Sequence, residues 1–307
     1  MARKWSFEVV PDVFRDLSEL QTHPSDKIST QPSLALLTRP YPSDGQSDGQ
    51  SDGGLELEDW ARLARYVRYL NDESPRNISY KVLYLTRHGV GFHNKKHVEV
   101  GNDEWNSNWS LKDGDGVTTW FDSFLADEGV QQASDLSSFW TDLVARHKAP
   151  LPQSHYCSPL ARCLQTASLV FGPLMAASGK PLGPVTVKEA LRERWTMHTC
   201  DKRRTRTWIV ENWGDKGFVM EDGFPEEDQL CRLDREETDE EHVARKQGAL
   251  EDIFESDTNE FLSLTVHSYA IRAILAVCRA RDFRVREGSS IALLVKGERL
   301  SAGGVLS

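Results

Sequence analysis

Between residues 81 and 295 the apolar positions fall into short runs separated by longer stretches with helical spacing. Lys81-Val-Leu-Tyr-Leu-Thr86 is rich in strand formers, and Arg87-His88-Gly89 ends it. A short apolar run of this kind, bounded by turn residues, predicts a buried strand. Val185-Thr-Val187, Leu262-Ser-Leu-Thr-Val266 and Ser290-Ile-Ala-Leu-Leu-Val295 read the same way, and Ser154-His-Tyr-Cys157 leads into a helical stretch over 159–170. A second helix is predicted over 269–279, directly after Val266, and connecting helices over 128–147 and 237–255. Strands alternating with helices predict an α/β fold, a three-layer α/β/α sandwich around one central, mostly parallel sheet.

Upstream the pattern differs. Leu57, Trp60, Leu63, Ala64, Val67 and Leu70 recur at helical spacing, which predicts an amphipathic helix over 57–70 with arginines on its outer face. Residues 43–54, SDGQSDGQSDGG, repeat a unit of turn formers that buries nothing and reads as a flexible loop. Its regular aspartates lack the glycine and glutamate positions of a calcium-binding EF-hand loop. The chain is therefore expected to divide into an N-terminal extension, 1–79, and a catalytic domain, 80–307. The extension is expected to pack on the domain through its helix and to add no chemistry, so that deleting residues 1–50 would spare activity.

The net charge is −10, which argues against nucleic acid or an anionic membrane as the main partner. Any anionic ligand must be held by a local basic pocket, so the placement of single arginines is informative. No stretch approaches the roughly 18 apolar residues of a transmembrane helix, and Glu8 and Asp12 interrupt any signal-like run at the start. The five cysteines form no CxxC pair and read as reduced thiols in a cytoplasmic protein.

Three predicted strand ends carry cationic or imidazole groups: Arg87-His88-Gly89, Ser158 through Arg162, and His267-Ser268 with Arg272 one turn on. Singly, an Arg-His-Gly triplet can be a salt-bridged arginine beside a surface histidine, and a His-Ser pair can be a helix cap. If the strands are neighbours, two imidazoles and two or three guanidiniums converge, and in a dry pocket they repel unless an anion belongs there. A phosphoryl group fits, because the arginine fork matches its oxygens.

The run Arg87-His88-Gly89 through Asn94 resembles the RHGxxxxN signature of the histidine phosphatase (phosphoglycerate mutase-like) superfamily. Ser158-Pro-Leu-Ala-Arg162-Cys-Leu-Gln165-Thr166-Ala167 is similar to its SxLxRxxQTA segment, Leu191-Arg192-Glu193 to its LxE segment, and His267 through Arg272 to its second-histidine motif. Gly101 through Trp105, Trp109 through Gly114, Thr119-Trp120, Gly129 through Ala133 and His198 through Arg204 are similar to fungal branches of that family. The resemblance implies a phosphoglycerate mutase-like fold and a covalent phosphohistidine at His88. Arg87, Arg162 and His267 would bind the phosphoryl oxygens, and Glu193 would be the acid and base, with His198 and Asp201 as substitutes. Asn94 would bind at the mouth, and Ser268, Arg203 and Arg204 are further expected substrate contacts. Gly89 would let the backbone approach the phosphate. No cofactor and no metal are implied; the partner is a small phosphorylated molecule.

Several features keep two readings. Lys202-Arg203-Arg204 with Arg206 either grips a second anionic group or forms a solvated face. Arg272 either lines the site or pairs with an acidic residue beneath it. Trp105, Trp109, Trp120 and Trp195 either wall the pocket or pack a core. His93 and His97 stand four apart but lack a third metal ligand. Val90 and Arg194-Trp-Thr-Met197 depart from the mutase pattern. They favour a metal-independent phosphatase over a mutase-type phosphotransferase. Two rival functions stay open beside these: an enzyme acting on an unusual phosphate or diphosphate ester, and a catalytically silent binding protein.

Overall fold

All five predicted strands form, and with two that the sequence pattern did not predict they make one seven-stranded sheet. The computed structural model describes residues 4–44, 58–177, 179, 184–232 and 234–301. In chain order the strands are β1 (Trp5–Val9), β2 (Lys27–Ile28), β3 (Ile78–Arg87), β4 (Ser154–Cys157), β5 (Val185–Val187), β6 (Phe218–Met220), β7 (Phe261–Val266), β8 (Arg284–Val285) and β9 (Ser290–Arg299). The helices are α1 (Asp59–Glu73), α2 (Phe92–Val100), α3 (Asn102–Ser107), α4 (Asp127–His147), α5 (Ala161–Ala177), α6 (Arg206–Trp213), α7 (Asp239–Ser256) and α8 (Ser268–Val277). The sheet order is β1-β9-β3-β7-β4-β5-β6, with β2 and β8 forming a separate ribbon. From β3 to β6 every neighbouring pair is parallel, and β9 alone runs against β3 and β1.

Side-chain alternation explains the three layers. Leu83 and Leu85 of β3, with Ile291, Leu293 and Val295 of β9, face a core shared with α7 and α8. Val82 and Tyr84, with Ala292 and Leu294, face a core shared with α1, α4 and α5. Successive strand residues point to opposite faces, so a strand covered on both sides reads as a continuous apolar run. Among the described residues no helix is long and apolar enough to cross a membrane.

The parallel register brings the strand ends level. Arg87 lies opposite Val266, Cys157 opposite Thr265, and Val187 opposite Cys157. His88, Ser158, Lys188 and His267 therefore leave the sheet at one edge, the carboxyl edge where open α/β sheets place ligands. Residues 92–125 cross over this edge, with Trp105, Trp120 and Cys200 forming a small core of their own.

The N-terminal segment is more deeply built in than its pattern suggested. Trp5–Val9 pairs along Val295–Arg299, so the first residues supply an edge strand of the main sheet. The expected boundary at residue 79 falls inside β3, and Trp5–Val9 and Lys27–Ile28 both pair with strands of the expected catalytic domain. The predicted 57–70 helix forms as Asp59–Glu73, with Trp60, Leu63 and Val67 buried; Leu57 lies outside the described residues. Arg62 is not free on its outer face but binds Asp44 at 2.6 Å and Asp59 at 3.3 Å. Of the 43–54 repeat only Ser43 and Asp44 are described; Ser43 is buried and Asp44 holds Arg62, and the rest lies outside the described residues.

Candidate active site

Four adjacent parallel strands deliver the site. β3 ends in Arg87 and passes directly to His88, whose backbone N–H donates to Val266 O at 3.1 Å. β7 passes to His267, the residue before α8. β4 leads through Ser158 into α5, which carries Arg162 in its first turn. β5 leads through the short turn Glu189–Leu191 to Glu193.

These residues converge. Arg162 Nε lies 3.3 Å from His88 Nε2 and 3.3 Å from His267 Nδ1, between two rings whose centroids are 5.0 Å apart. All three side chains are buried. His88 Nδ1 lies 2.7 Å from the carbonyl oxygen of Gly89, which can only accept, so Nδ1 carries the proton and Nε2 keeps its lone pair. On His267, Nε2 lies 2.7 Å from Ser158 Oγ, which leaves Nδ1 as the acceptor toward Arg162. Burial pushes both imidazoles well below their ordinary pKa, and Arg162 adds to the shift in each. His88 is thus a neutral imidazole with an unprotonated Nε2 facing Arg162 Nε, and the lone pair there is what a nucleophile requires.

The two guanidiniums are each anchored from behind. Arg162 donates from Nη1 to Cys200 O at 2.6 Å and pairs from Nη2 with Asp201 at 3.3 Å. Arg87 donates from Nη1 to Val285 O at 2.8 Å and pairs from Nη2 with Glu287 at 2.9 Å. Arg87 Nε is buried without a protein partner. The charge repulsion expected from the cluster is therefore reduced by Asp201, which the sequence offered only as a substitute acid, and by Glu287, to which it did not point.

Glu193 sits at the start of α8. Its Oε1 accepts from Ala270 N at 3.0 Å and its Oε2 from Tyr269 N at 3.1 Å, beside His267. Burial raises its pKa despite those bonds, which keeps a proton available closer to neutrality. Its backbone is clamped from α7: Lys246 Nζ donates to Ala190 O at 2.9 Å and Arg192 O at 2.7 Å, and Arg245 Nη2 donates to Glu193 O at 2.9 Å.

Gly89 is required for a reason other than the one expected. A Cβ there would lie 2.4 Å from the carbonyl oxygen of Gly129, and one on Gly129 would lie 2.1 Å from that of Val90. The loop after His88 and the start of α4 cross backbone to backbone. Asn94 is close by but partly spent, since its Oδ1 accepts from Gly91 N at 2.9 Å and caps α2. Ser268 is buried as the first residue of α8.

Arg203 is a correction, and Arg204 is partly engaged by the protein. Arg203 Nε donates to Glu189 at 2.8 Å, and its two amino groups donate to the carbonyls of Arg204, Glu226, Pro225 and Glu227 at 2.8–3.0 Å. These bonds use all five N–H donors of a guanidinium. Arg204 binds Asp122 at 3.1 Å and stacks on Trp208, 4.5 Å from the ring centre. Arg203 ties the 225–227 turn to the core, and Arg204 ties the 199–206 segment to Asp122. Arg272 pairs with Asp282 at 2.5 Å on an exposed face, so its second reading holds.

Asp122 was not singled out from sequence. It is fully buried at φ 40°, accepts from Ala161 N at 2.8 Å, and so holds the start of α5 as well as Arg204. His93 is buried with its ring 5.9 Å from that of His88, while His97 stacks on Trp105. Among the described residues His198, Cys200 and Asp201 place one metal-type donor each within 4.8 Å of one another. Asp201 already serves Arg162 and Thr196 Oγ1, so a cation there would enter against a fixed positive charge.

The chain also matches known proteins. The family described as histidine phosphatase superfamily (branch 1) matches residues 83–293. A "Probable phosphoglycerate mutase" of Arthroderma benhamiae is 40% identical over 239 residues, covering 78% of this chain and 70% of the relative. "Probable phosphoglycerate mutase PMU1" of Saccharomyces cerevisiae is 32% identical over 256 residues, covering 76% and 85%. Among solved structures, a phosphoglycerate mutase from Bacillus anthracis aligns over 74% of this chain and 94% of its own, at 17% identity and a TM-score of 0.44.

Proposed function

The chain belongs to the histidine phosphatase superfamily, and on that premise we propose that it is a metal-independent phosphatase that hydrolyses a small phosphate ester through a phosphohistidine at His88. The observation that carries this reading is the unprotonated Nε2 of His88, fixed by the Nδ1–Gly89 bond and set beside Arg162 and His267. His88 Nε2 attacks phosphorus, the bond to the leaving oxygen breaks, and Glu193 gives that oxygen its proton. Water then attacks the phosphohistidine, Glu193 takes the water's proton, and the P–N bond breaks to return a neutral imidazole. Arg87 and Arg162 stabilise the equatorial oxygens in both steps, and His267, accepting from Arg162 Nε, holds that guanidinium in place. The chemistry takes place in a cytoplasmic, soluble enzyme with no nucleic-acid or membrane partner.

Hydrolysis is favoured over transfer because a mutase must retain its phosphoryl group and shield it from water, and Val90 and residues 194–197 depart from the mutase pattern. The names of the fungal relatives favour the second reading, a phosphoglycerate mutase-type transferase. Incubation with 3-phosphoglycerate and a panel of phosphate esters, without added metal and beside His88→Ala, separates them. Phosphate release that His88→Ala abolishes supports hydrolysis, and isomer formation supports transfer. Activity that needs metal, or survives His88→Ala, overturns the mechanism.

A further inference from the structure

The segment Arg284–Ser290 backs the whole first strand end of the site. Val285 O accepts from Arg87 Nη1 at 2.8 Å, Ser289 O accepts from Arg87 N at 2.9 Å, and Gly288 N donates to His88 O at 3.0 Å. Ser290 Oγ lies 2.6 Å from Thr86 Oγ1. That segment is in turn held by residues 27–30. Lys27 and Ile28 pair in parallel with Arg284 and Val285, Ile28 O accepts from Arg286 N at 2.8 Å, and Thr30 Oγ1 accepts from Ser290 N at 2.9 Å. Residues 27–30 lie far outside the 83–293 stretch that the family matches.

One ion pair links this ribbon to the charge of the pocket. The same oxygen, Glu287 Oε1, lies 2.9 Å from Arg87 Nη2 and 2.7 Å from Lys27 Nζ. Glu287 and Arg87 are nearly buried, with side chains 10% and 7% exposed, while Lys27 is 35% exposed. An anion that approaches Arg87 competes with Glu287 for its field. A second cation on the same carboxylate oxygen weakens that competition and holds the carboxylate in place.

We propose that Lys27 is a positioning residue for the phosphoryl pocket, acting through Glu287 on Arg87, so that the N-terminal segment sets the affinity of the site for its anion. The proposal rests on the reading that a phosphoryl group occupies this pocket, but not on whether water or a second hydroxyl receives it. Removing the Lys27 ammonium leaves Glu287 to neutralise Arg87 alone. The consequence falls chiefly on binding of the phosphoryl group through Arg87, so KM moves more than kcat.

The test uses the full chain, with inorganic orthovanadate as the probe, titrated by calorimetry, and ester turnover measured in parallel. Lys27→Met is expected to weaken vanadate binding and raise KM by about fivefold, with kcat within about twofold, as for a partly exposed ion pair. Lys27→Arg is expected to restore wild-type values. In a Glu287→Gln background, Lys27→Met is expected to change vanadate affinity by less than about twofold, because the carboxylate through which it acts is gone. Unchanged affinity in Lys27→Met, or a loss confined to thermal stability, overturns the proposal. So does a full loss that persists with Glu287→Gln, which would mean direct contact between Lys27 and the anion. A wild-type protein that neither binds vanadate nor turns over any ester would instead defeat the functional reading itself.

Discussion

Two arginine-rich regions lie within one fold and do opposite things. At the strand ends, Arg162 points Nε between two imidazoles, and Arg87 keeps Nε without a protein partner. In the 189–228 knot, Arg203 has spent every donor on Glu189 and four carbonyls. Both regions are buried and both are charged. What separates Arg87 from Arg203 is a donor left over beside the two imidazoles, and that is invisible until the partners are in place.

The largest expected effect sharpens the first half of this comparison. Arg162→Met should lower kcat/KM by about a thousandfold, the scale of losing a preorganised donor at a developing negative charge. A loss below about tenfold in steady-state kinetics would place Arg162 with the scaffold instead. The second half is tested by Arg203→Met, which should cost about 3 kcal/mol in denaturant unfolding by leaving Glu189 and several carbonyls short of a donor. KM of the folded fraction should stay unchanged; a selective rise in KM would return Arg203 to the binding site.

The histidines give a test of comparable size. His88 and His267 are held well below the ordinary 6.5 by burial, so their rings should remain neutral at pH 5.5 by nitrogen-15 NMR. A free imidazole would be about nine-tenths protonated there. The unfolded chain binds those protons while the native state does not, so stability is fully present above 6.5 and falls as pH drops below it. For His155, which burial lowers from 6.5 to about 4, the loss is about 3 kcal/mol by pH 4. A ring that titrates near 6.5 in the native protein would show an open pocket.

The smallest effect belongs to Arg272. Its pair with Asp282 is exposed, so Arg272→Ala should shift stability by less than about 1 kcal/mol and leave KM alone. A marked rise in KM would bring it back to the site mouth.

The main strands and helices could be read from periodicity because they are covered on both faces or amphipathic. β1 and β6 could not. Trp5–Val9 is short, and its partner strand lies at the opposite end of the chain, while Phe218–Met220 has only three residues. His88, Arg162, Glu193 and His267 could be singled out as candidates because each follows a recognisable strand and falls in a motif resembling the family's, and the structure brings them together. Glu287, Lys27, Asp122 and Lys246 were not, because each acts on a residue remote in sequence and carries no local pattern.

By itself the sequence determined the α/β layering and the order in which reactive side chains leave the sheet, since both follow from local hydrophobic period and strand ends. Only the tertiary structure decided which guanidiniums have donors to spare, which carboxylates stand behind them, and that residues 27–30 pack behind the strand end that carries Arg87 and His88. Hydrogen-bond satisfaction and charge balance are sums over neighbours in space, and for these residues the neighbours come from distant parts of the chain.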